Sequence, residues 1–237
     1  MKPISIISAG AWGTTLALLL AKNDQPVTLW TYPPELAATM ELERENKLFL
    51  PGFTIPPAVK ITTDPAVATI GTEIVLFVPP SKVFRSVIKR FAGVLPADAI
   101  IVSATKGLEE GTDLRMSQIL EQELPKEFHR RITVLSGPNL AKELAAGKPA
   151  AAVIAGKDSN AAKKAQKILS LPTLRLYTNS DIIGVELGGT LKNVIAIAAG
   201  IVDGLNLGDN AKAALLIRGI SEIARLGVAL GGNKETF

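Results

Sequence analysis

The chain has 237 residues, with 26 Lys and Arg, 22 Asp and Glu, and a formal net charge of +4. That charge is mild and no basic run stands out, so nucleic acid is not an expected partner, while a small anionic ligand is compatible. The sequence has no cysteine and a single histidine, His129, which excludes disulfides, thiol catalysis, Cys-ligated metals and a multi-histidine metal site.

The N-terminal apolar run after Lys2 resembles a signal peptide or a membrane segment. Ser, Gly and Thr residues interrupt this run at turn-like positions. A short strand, a glycine turn and a helix fit that pattern better. We therefore expect a cytoplasmic protein with no membrane insertion.

Short β-type runs then alternate with helical runs. The predicted strands are residues 4–7, 27–30, 74–78, 100–104, 133–136, 151–155 and 174–177. The predicted helices are residues 11–22, 36–48, 82–91, 114–123, 139–146 and 161–169, and residues 51–57 are predicted as a loop. This alternation predicts an α/β fold with a Rossmann-type, doubly wound, mainly parallel sheet that binds ligands at the carboxyl ends of its strands.

The pattern changes after Tyr177, where two long helices are predicted at residues 181–203 and 211–226. We place a domain boundary near Thr178. Residues 1–178 are expected to form a dinucleotide-binding domain, and residues 179–237 the start of an all-α domain.

The first candidate site is the loop Ser8-Ala9-Gly10-Ala11-Trp12-Gly13, between the first strand and the first helix. A G-x-G-x-x-G loop in that place lets the backbone approach a pyrophosphate at the helix N-terminus. Ser8 replaces the first glycine of the pattern, so we expect strain or weaker binding there. The alternative is an ordinary glycine turn.

The second strand lacks the acidic residue that would bond a ribose 2′-hydroxyl. Its end reads Trp30, Thr31, Tyr32, and the next acid is Glu35. Without a carboxylate to exclude a 2′-phosphate, NADP is the favoured cofactor, with NADPH preferred over NADH, and NAD is the other candidate. The sequence shows no arginine at this position to bind the phosphate.

Three loops follow other predicted strands and are expected to converge over the cofactor. They are Pro80-Ser81-Lys82, Thr105-Lys106-Gly107 and Ser136-Gly137-Pro138-Asn139. Lys106 is a candidate cation for a substrate oxygen or phosphate; the alternative is a surface lysine in a glycine turn.

Lys192 lies in a helix that is otherwise small and apolar. Val185, Gly188, Ile195 and Ala199 share its face at helical spacing. Such a lysine either extends to water or lines a polar cavity. In a cavity, burial would lower its pKa and suit it to proton transfer or anion binding.

Several sequence blocks resemble the bacterial NAD(P)-dependent glycerol-3-phosphate dehydrogenase family, in order and spacing, over residues 4–237. The blocks are AGAWGTTLA, VPPSKVF, SATKGLE, SGPNLAKELAAGKPAA, GVELGGTLKNVIAIAAG and LLIRGISEIARLG. The resemblance implies an oxidoreductase of lipid metabolism that reduces dihydroxyacetone phosphate to sn-glycerol 3-phosphate for phospholipid synthesis. It also implies a small phosphorylated substrate, and a homodimer is compatible with it.

The resemblance assigns roles to individual residues. Lys192 would be the catalytic acid and base. The cofactor would be bound by Gly10, Ala11, Trp12, Gly13, Tyr32, Lys106 and Ala141. The substrate would be bound by Lys106, Gly137, Asn139, Lys192 and Asn193. Gly188 and Gly189 would leave room for both, and no metal is expected.

The sequence also departs from the family pattern. Besides Ser8, Asn139 stands where Thr or Ser is usual. In the family, a GLGDL segment and a Ser-Arg-Asn motif follow, supplying an aspartate near the lysine and an arginine for the substrate phosphate. This sequence ends at Phe237, before both. We therefore expect a C-terminally truncated member with little turnover, and the alternative function is an NADP(H)-binding module without turnover.

Overall fold

The computed structural model describes residues 2–237, in which strands and helices alternate as a Rossmann-type fold requires. The strands are β1 (Ile4–Ile7), β2 (Val27–Trp30), β3 (Glu45–Asn46), β4 (Leu50–Thr54), β5 (Val59–Thr62), β6 (Ile74–Phe77), β7 (Ile100–Ser103), β8 (Ile132–Ser136), β9 (Ala150–Gly156) and β10 (Leu174–Asn179). The helices are α1 (Ala11–Lys22), α2 (Pro34–Glu43), α3 (Pro65–Thr69), α4 (Ser81–Phe91), α5 (Met116–Glu123), α6 (Ala141–Ala145), α7 (Ser159–Leu169), α8 (Ile182–Gly204) and α9 (Gly208–Ala229).

One eight-stranded sheet forms the centre, in the order β10-β9-β8-β7-β6-β1-β2-β5. The six strands from β8 to β5 run parallel, β9 is antiparallel to β8, and β10 is parallel to β9. Strands β1, β6 and β7 are buried along their whole length, as expected for strands covered on both faces. The predicted α/β, mainly parallel fold is therefore confirmed.

The two faces of the sheet bury separate apolar clusters. Helix α1 covers one face. On the other face, α4 directs Phe84, Ile88 and Phe91 inward at helical spacing. The ring of Phe91 meets Trp30 edge-on, with 5.2 Å between ring centroids, so α4 is fixed across the end of β2.

The segment after β2 differs from the sequence prediction. The helix predicted to reach residue 48 ends at Glu43, because Arg44 adopts a left-handed conformation with φ 51° and ψ 37°. The Arg44 guanidinium then donates a 2.8 Å hydrogen bond to the Val59 carbonyl. Residues 51–57, predicted as a loop, include part of β4, which pairs with β3 in a small hairpin.

Helices α8 and α9 follow the sheet and pack against each other. The first part of α8 is buried, where Ile182 and Val185 pack with Val134 of β8 and Ala155 of β9. By length and composition α8 could cross a membrane, and 33% of its most apolar window is buried. Core helices of soluble proteins pass the same test, so this is weak evidence for a membrane span.

Candidate active site

The loop between β1 and α1 has the geometry of a pyrophosphate cradle. Gly10 is the N-cap of α1, and no side chain caps the first turn, whose backbone N–H groups lack partners within the helix. A Cβ at Gly10 would have no atom within 4 Å, whereas one at Gly13 would lie 2.0 Å from the Ser8 carbonyl oxygen. Gly13 thus permits close packing of helix on strand, and Gly10 leaves space for an anion.

A cavity of about 430 Å³ continues from this loop along the end of β2. Ser8, Gly10 and Tyr32 line it on one side, and Pro80 and Arg90 from the β6–α4 region line it on the other. The Arg90 guanidinium carbon lies 4.8 Å from the centroid of the Tyr32 ring. The end of β2 itself has no arginine, as the sequence shows, but α4 brings Arg90 beside it from far along the chain.

The three loops predicted to converge do meet. The Thr105 hydroxyl donates a 2.6 Å hydrogen bond to the Pro79 carbonyl, and the Lys106 ammonium donates a 2.9 Å bond to the Gly137 carbonyl. Gly107, at φ 126°, packs against Ser81, where a Cβ would lie 2.8 Å from the hydroxyl. The ends of β6, β7 and β8 therefore form one continuous rim.

Lys106 is not an ordinary surface lysine. Its burial, together with the positive charge of Lys192, lowers the pKa of Lys106 to about 8. Two cations from different elements thus lie close enough to repel each other. An anionic ligand between them would relieve that repulsion, which is the electrostatic character of a phosphate site.

Two contacts position α8 against this rim. The Thr190 hydroxyl accepts a 3.0 Å hydrogen bond from the Gly107 N–H. Gly189 lies so close to β8 that a Cβ would be 2.1 Å from the Ser136 hydroxyl oxygen. Gly189 thus permits close packing of α8 on β8, and it also lines the cavity beside Lys192.

Lys192 lines a second cavity of about 220 Å³. Gly137 and Pro138 line the same cavity, together with Gly188 and Thr236. The Lys192 ammonium donates to the Asn193 side-chain oxygen at 3.4 Å. Within residues 2–237 the structure shows no carboxylate paired with Lys192. The cavity suits a ligand of only a few heavy atoms.

Asn139 and Ala141 lie near this region with their polar groups bonded to protein. The Asn139 amide donates a 3.0 Å bond to the Ala151 carbonyl, and Asn139 is absent from the lining of the Lys192 cavity. The Ala141 carbonyl accepts a 3.2 Å bond from the Thr15 hydroxyl, which places the start of α6 beside α1.

A buried ion pair that the sequence analysis did not identify attaches α8 to α5. The Glu186 carboxylate accepts hydrogen bonds from the Arg115 guanidinium at 2.6 Å, the Ser117 hydroxyl at 2.6 Å and the Ser117 N–H at 2.8 Å. Burial raises the pKa of Glu186 despite these bonds. The pair fixes α8 less than two turns before Lys192.

Asp181 connects the start of α8 to the last residues of the chain. Its carboxylate accepts hydrogen bonds from the Gly184 N–H at 2.8 Å, the Asn233 N–H at 2.8 Å and the Thr236 hydroxyl at 2.7 Å. Burial alone would raise the pKa of Asp181, but these hydrogen bonds outweigh burial and lower it. The same contacts bring Thr236 to the edge of the Lys192 cavity.

Comparison with known proteins places this geometry among one group of enzymes. The family described as NAD-dependent glycerol-3-phosphate dehydrogenase N-terminus matches residues 3–162, and the family described as its C-terminus matches residues 181–237. The chain is 47% identical over 234 residues to the glycerol-3-phosphate dehydrogenase [NAD(P)+] of Syntrophotalea carbinolica. It is 46% identical over 237 residues to that of Corynebacterium glutamicum.

The crystal structure of glycerol-3-phosphate dehydrogenase from Coxiella burnetii is similar throughout, with a TM-score of 0.91 and 40% identity, over 99% of this chain and 71% of that one. The alignment with the Syntrophotalea protein covers 99% of this chain and 70% of that protein. The alignment with the Corynebacterium protein covers 100% of this chain and 71% of that protein. The chain therefore spans about 70% of the length of these relatives.

Proposed function

The chain belongs to the NAD-dependent glycerol-3-phosphate dehydrogenase family, and from that premise we propose which of its residues bind the ligands and move the proton. The resemblance drawn from the sequence blocks is confirmed, and so is the use of NAD(P). The function is the transfer of a hydride between NAD(P)H and dihydroxyacetone phosphate or sn-glycerol 3-phosphate, in lipid metabolism.

The cofactor is assigned to the β1–α1 loop and the cavity beside it. Gly10, Ala11, Trp12 and Gly13 would hold the pyrophosphate at the N-terminus of α1, with Tyr32 at the adenosine end. Lys106 and Ala141 complete the assignment near the nicotinamide end. The open space at Gly10 and the uncapped helix N-terminus support this fit.

The substrate is assigned to the Lys192 cavity. Lys106 would supply a positive charge for the phosphate or the carbonyl oxygen, and Gly137 lines the cavity. Asn139 and Asn193 do not line it, and they are assigned as substrate contacts by the family resemblance. The bound cofactor supplies a hydride to the ketone carbon. Lys192 then stabilises the negative charge on the ketone oxygen and donates its proton there, and it accepts that proton in the reverse direction.

One observation supports this assignment: Lys192 lines a small cavity, and the ammonium of Lys106 binds the carbonyl of Gly137, which lines the same cavity, close enough for the two lysines to repel each other. The test is Lys192→Ala, with steady-state turnover and NADPH affinity measured together. We expect kcat to fall by about 10²–10⁴-fold, with NADPH affinity unchanged. Lys212→Ala is the control, because Lys212 is partly exposed and pairs with Asp203 on the far part of the helix pair. A nearly unchanged kcat for Lys192→Ala would show that another group moves the proton.

A second candidate function is an NADP(H)-binding module without turnover. The observation that favours it is that, within residues 2–237, Lys192 is paired with no carboxylate and bonds only to the Asn193 side chain. NADPH oxidation by the 237-residue chain in the presence of dihydroxyacetone phosphate separates the two functions. Saturable NADPH binding with no oxidation would favour the module; oxidation would remove it.

A second copy of this chain is the proposed partner of α8 and α9. The pair exposes large apolar side chains, including Val194, Ile197, Ile201, Ile217 and Ile220. Helices of 23 and 22 residues are each about 34 Å long and pack about 9 Å apart. Sedimentation equilibrium should show a dimer that Ile197→Asp dissociates, and a monomer at all concentrations would contradict the proposal.

We also keep two broader assignments as proposals. The domain boundary lies near Thr178, with residues 1–178 binding the dinucleotide and residues 179–237 belonging to a helical substrate domain. The protein acts in the cytoplasm without membrane insertion, which is supported by the ion pair that fixes the start of α8 to α5. Recovery of the protein in the membrane fraction would contradict that location.

A further inference from the structure

We propose that Arg90 is the residue that binds the ribose 2′-phosphate of NADP(H) and sets the preference of this chain for NADPH over NADH. The inference rests on the proposed placement of the cofactor in the β1–α1 cradle. Arg90 lies on α4, which is outside the β1–α1–β2 unit, and would determine the cofactor specificity of that site.

The position of Arg90 supports this role. The cavity that begins at Ser8 and Gly10 passes Tyr32 and reaches Arg90 in the last turn of α4. In a dinucleotide fold, the pyrophosphate lies at the start of this path and the adenosine ribose lies at the end of the second strand. Arg90 therefore stands where a substituent on the 2′-oxygen would project.

The guanidinium of Arg90 is also held close to the Tyr32 ring. Its central carbon lies 4.8 Å from the centroid of that ring, a cation–π contact that helps to order a long and otherwise exposed side chain. The contact leaves guanidinium N–H groups available for a ligand. Those groups form the paired hydrogen bonds that arginine makes with phosphate oxygens.

The charge of Arg90 is available for a ligand. Within residues 2–237 the structure pairs it with no carboxylate, and no Asp or Glu lines the cavity. In contrast, Arg85 on the same helix is bound to Glu109 and Glu123, and Arg115 is bound to Glu186. An unneutralised cation in a cavity without acids attracts the negative charge of the 2′-phosphate of NADP(H). The uncharged 2′-hydroxyl of NAD(H) would gain no comparable binding energy.

The test compares NADPH and NADH binding to the whole chain by isothermal titration calorimetry. We expect Arg90→Ala to weaken NADPH binding by about 10-fold or more, the effect of losing a charge-assisted contact, and to leave NADH affinity unchanged. Arg90→Glu should weaken NADPH further, and Arg90→Lys should retain part of the preference. Lys89→Ala is the matched control, because Lys89 is the adjacent exposed cation and does not line the cavity.

Adenosine 2′-monophosphate and adenosine 5′-monophosphate serve as fragment probes in the same titrations, and Arg90→Ala should weaken only the former. Equal loss of NADPH and NADH affinity in Arg90→Ala would overturn the inference, since Arg90 would then act on the shared adenosine. Unchanged NADPH affinity would also overturn it. If the wild-type chain bound neither dinucleotide, the proposed cofactor site itself would be wrong. Arg90 is exposed, so its variants should keep the melting temperature, and thermal denaturation verifies that they fold.

Discussion

Ser8 has a backbone conformation that glycine adopts more readily than serine. Its φ of 97° lies in a region that side chains with a Cβ rarely occupy. The strain expected from the sequence, where Ser8 replaces a glycine, is thus visible in the backbone. The strained residue stands at the turn between β1 and α1, where we propose that the cofactor binds.

Ser8→Gly should therefore raise the free energy of unfolding by about 1 kcal/mol, because relief of strain exceeds the greater freedom of glycine in the unfolded chain. Urea denaturation measures the change. Ser8→Ala is the control, since it removes the hydroxyl and keeps the Cβ, and it should bring no gain. A Ser8→Gly protein less stable than the wild type would show that the turn is not strained.

Lys106 should make stability depend on pH in a defined direction. Its folded-state pKa of about 8 lies below the ordinary value of about 10.4. Between those pH values the unfolded chain binds more protons than the folded chain, so this group makes stability rise with pH. Below about pH 8 both states are protonated and the penalty of burying the charge is complete.

The measurement compares the wild type with Lys106→Met in urea denaturation at several values from about pH 7 to about pH 10. The variant should be more stable than the wild type near pH 7, and the gap should narrow as pH rises. Subtracting the free energy of unfolding of the wild type from that of the variant at each pH cancels the contribution of the other lysines that titrate in this range. A gap that stays constant with pH would mean that Lys106 is not protonated differently in the two states.

Among the elements, the β1–α1 unit contains two glycines, Gly10 and Gly13, that are needed for different reasons. Gly13→Ala would place a methyl group 2.0 Å from the Ser8 carbonyl, whereas Gly10→Ala would meet nothing. We expect Gly13→Ala to destabilise the fold by about 2 kcal/mol through overpacking. Gly10→Ala should fold normally and bind NADPH more weakly, because its methyl group blocks the approach of the pyrophosphate.

Melting temperature and NADPH titration of the two variants provide the check. Each variant is the control for the other, since the change is the same and the loop is shared. If Gly13→Ala kept its stability, the packing of α1 on β1 would be looser than the structure indicates.

The elements that the sequence predicted well are those whose burial appears directly in the residue pattern. Strand β6 is wholly apolar, and β1 and β7 are apolar except for one buried serine each, since both faces of the sheet are covered. The hairpin of β3 and β4 was missed because tertiary contacts determine it. Asn46, for example, is buried and donates to the Ala9 carbonyl and the Thr14 hydroxyl at 2.7 and 2.8 Å.

The candidate site was predictable to a similar extent. Lys192 is conspicuous among small apolar residues, and Lys106 follows a predicted strand. Arg90 was missed because its proximity to Tyr32 arises from sheet order, with β1 lying between β2 and β6. Glu186 was missed because its partners, Arg115 and Ser117, lie on a separate helix.

For the whole molecule, the Glu186–Arg115 pair attaches the helix pair to the sheet domain. Glu186→Ala would leave the Arg115 guanidinium largely buried without its carboxylate, which costs about 3–5 kcal/mol. We expect amide hydrogens in α8 to exchange much faster in this variant, with a smaller effect in β1 and β6. Hydrogen exchange measured by mass spectrometry resolves the two regions.

Glu222→Ala is the control for this experiment. Glu222 forms exposed ion pairs with Arg218 and Arg225, so its loss should change exchange little. If Glu186→Ala left exchange in α8 unchanged, the attachment would depend on the apolar contacts of Ile182 and Val185 instead.

The hydrogen bond from the Gly107 N–H to Thr190 joins residues 83 positions apart in the chain. Contacts of such sequence separation form late in folding, because a long loop must close before they stabilise anything. The β1–α1–β2 unit, by contrast, lies within the first residues that leave the ribosome. A growing chain therefore releases the whole β1–α1–β2 unit before Lys192 is synthesised, and the contact between Gly107 and Thr190 forms only after both halves of the chain are present.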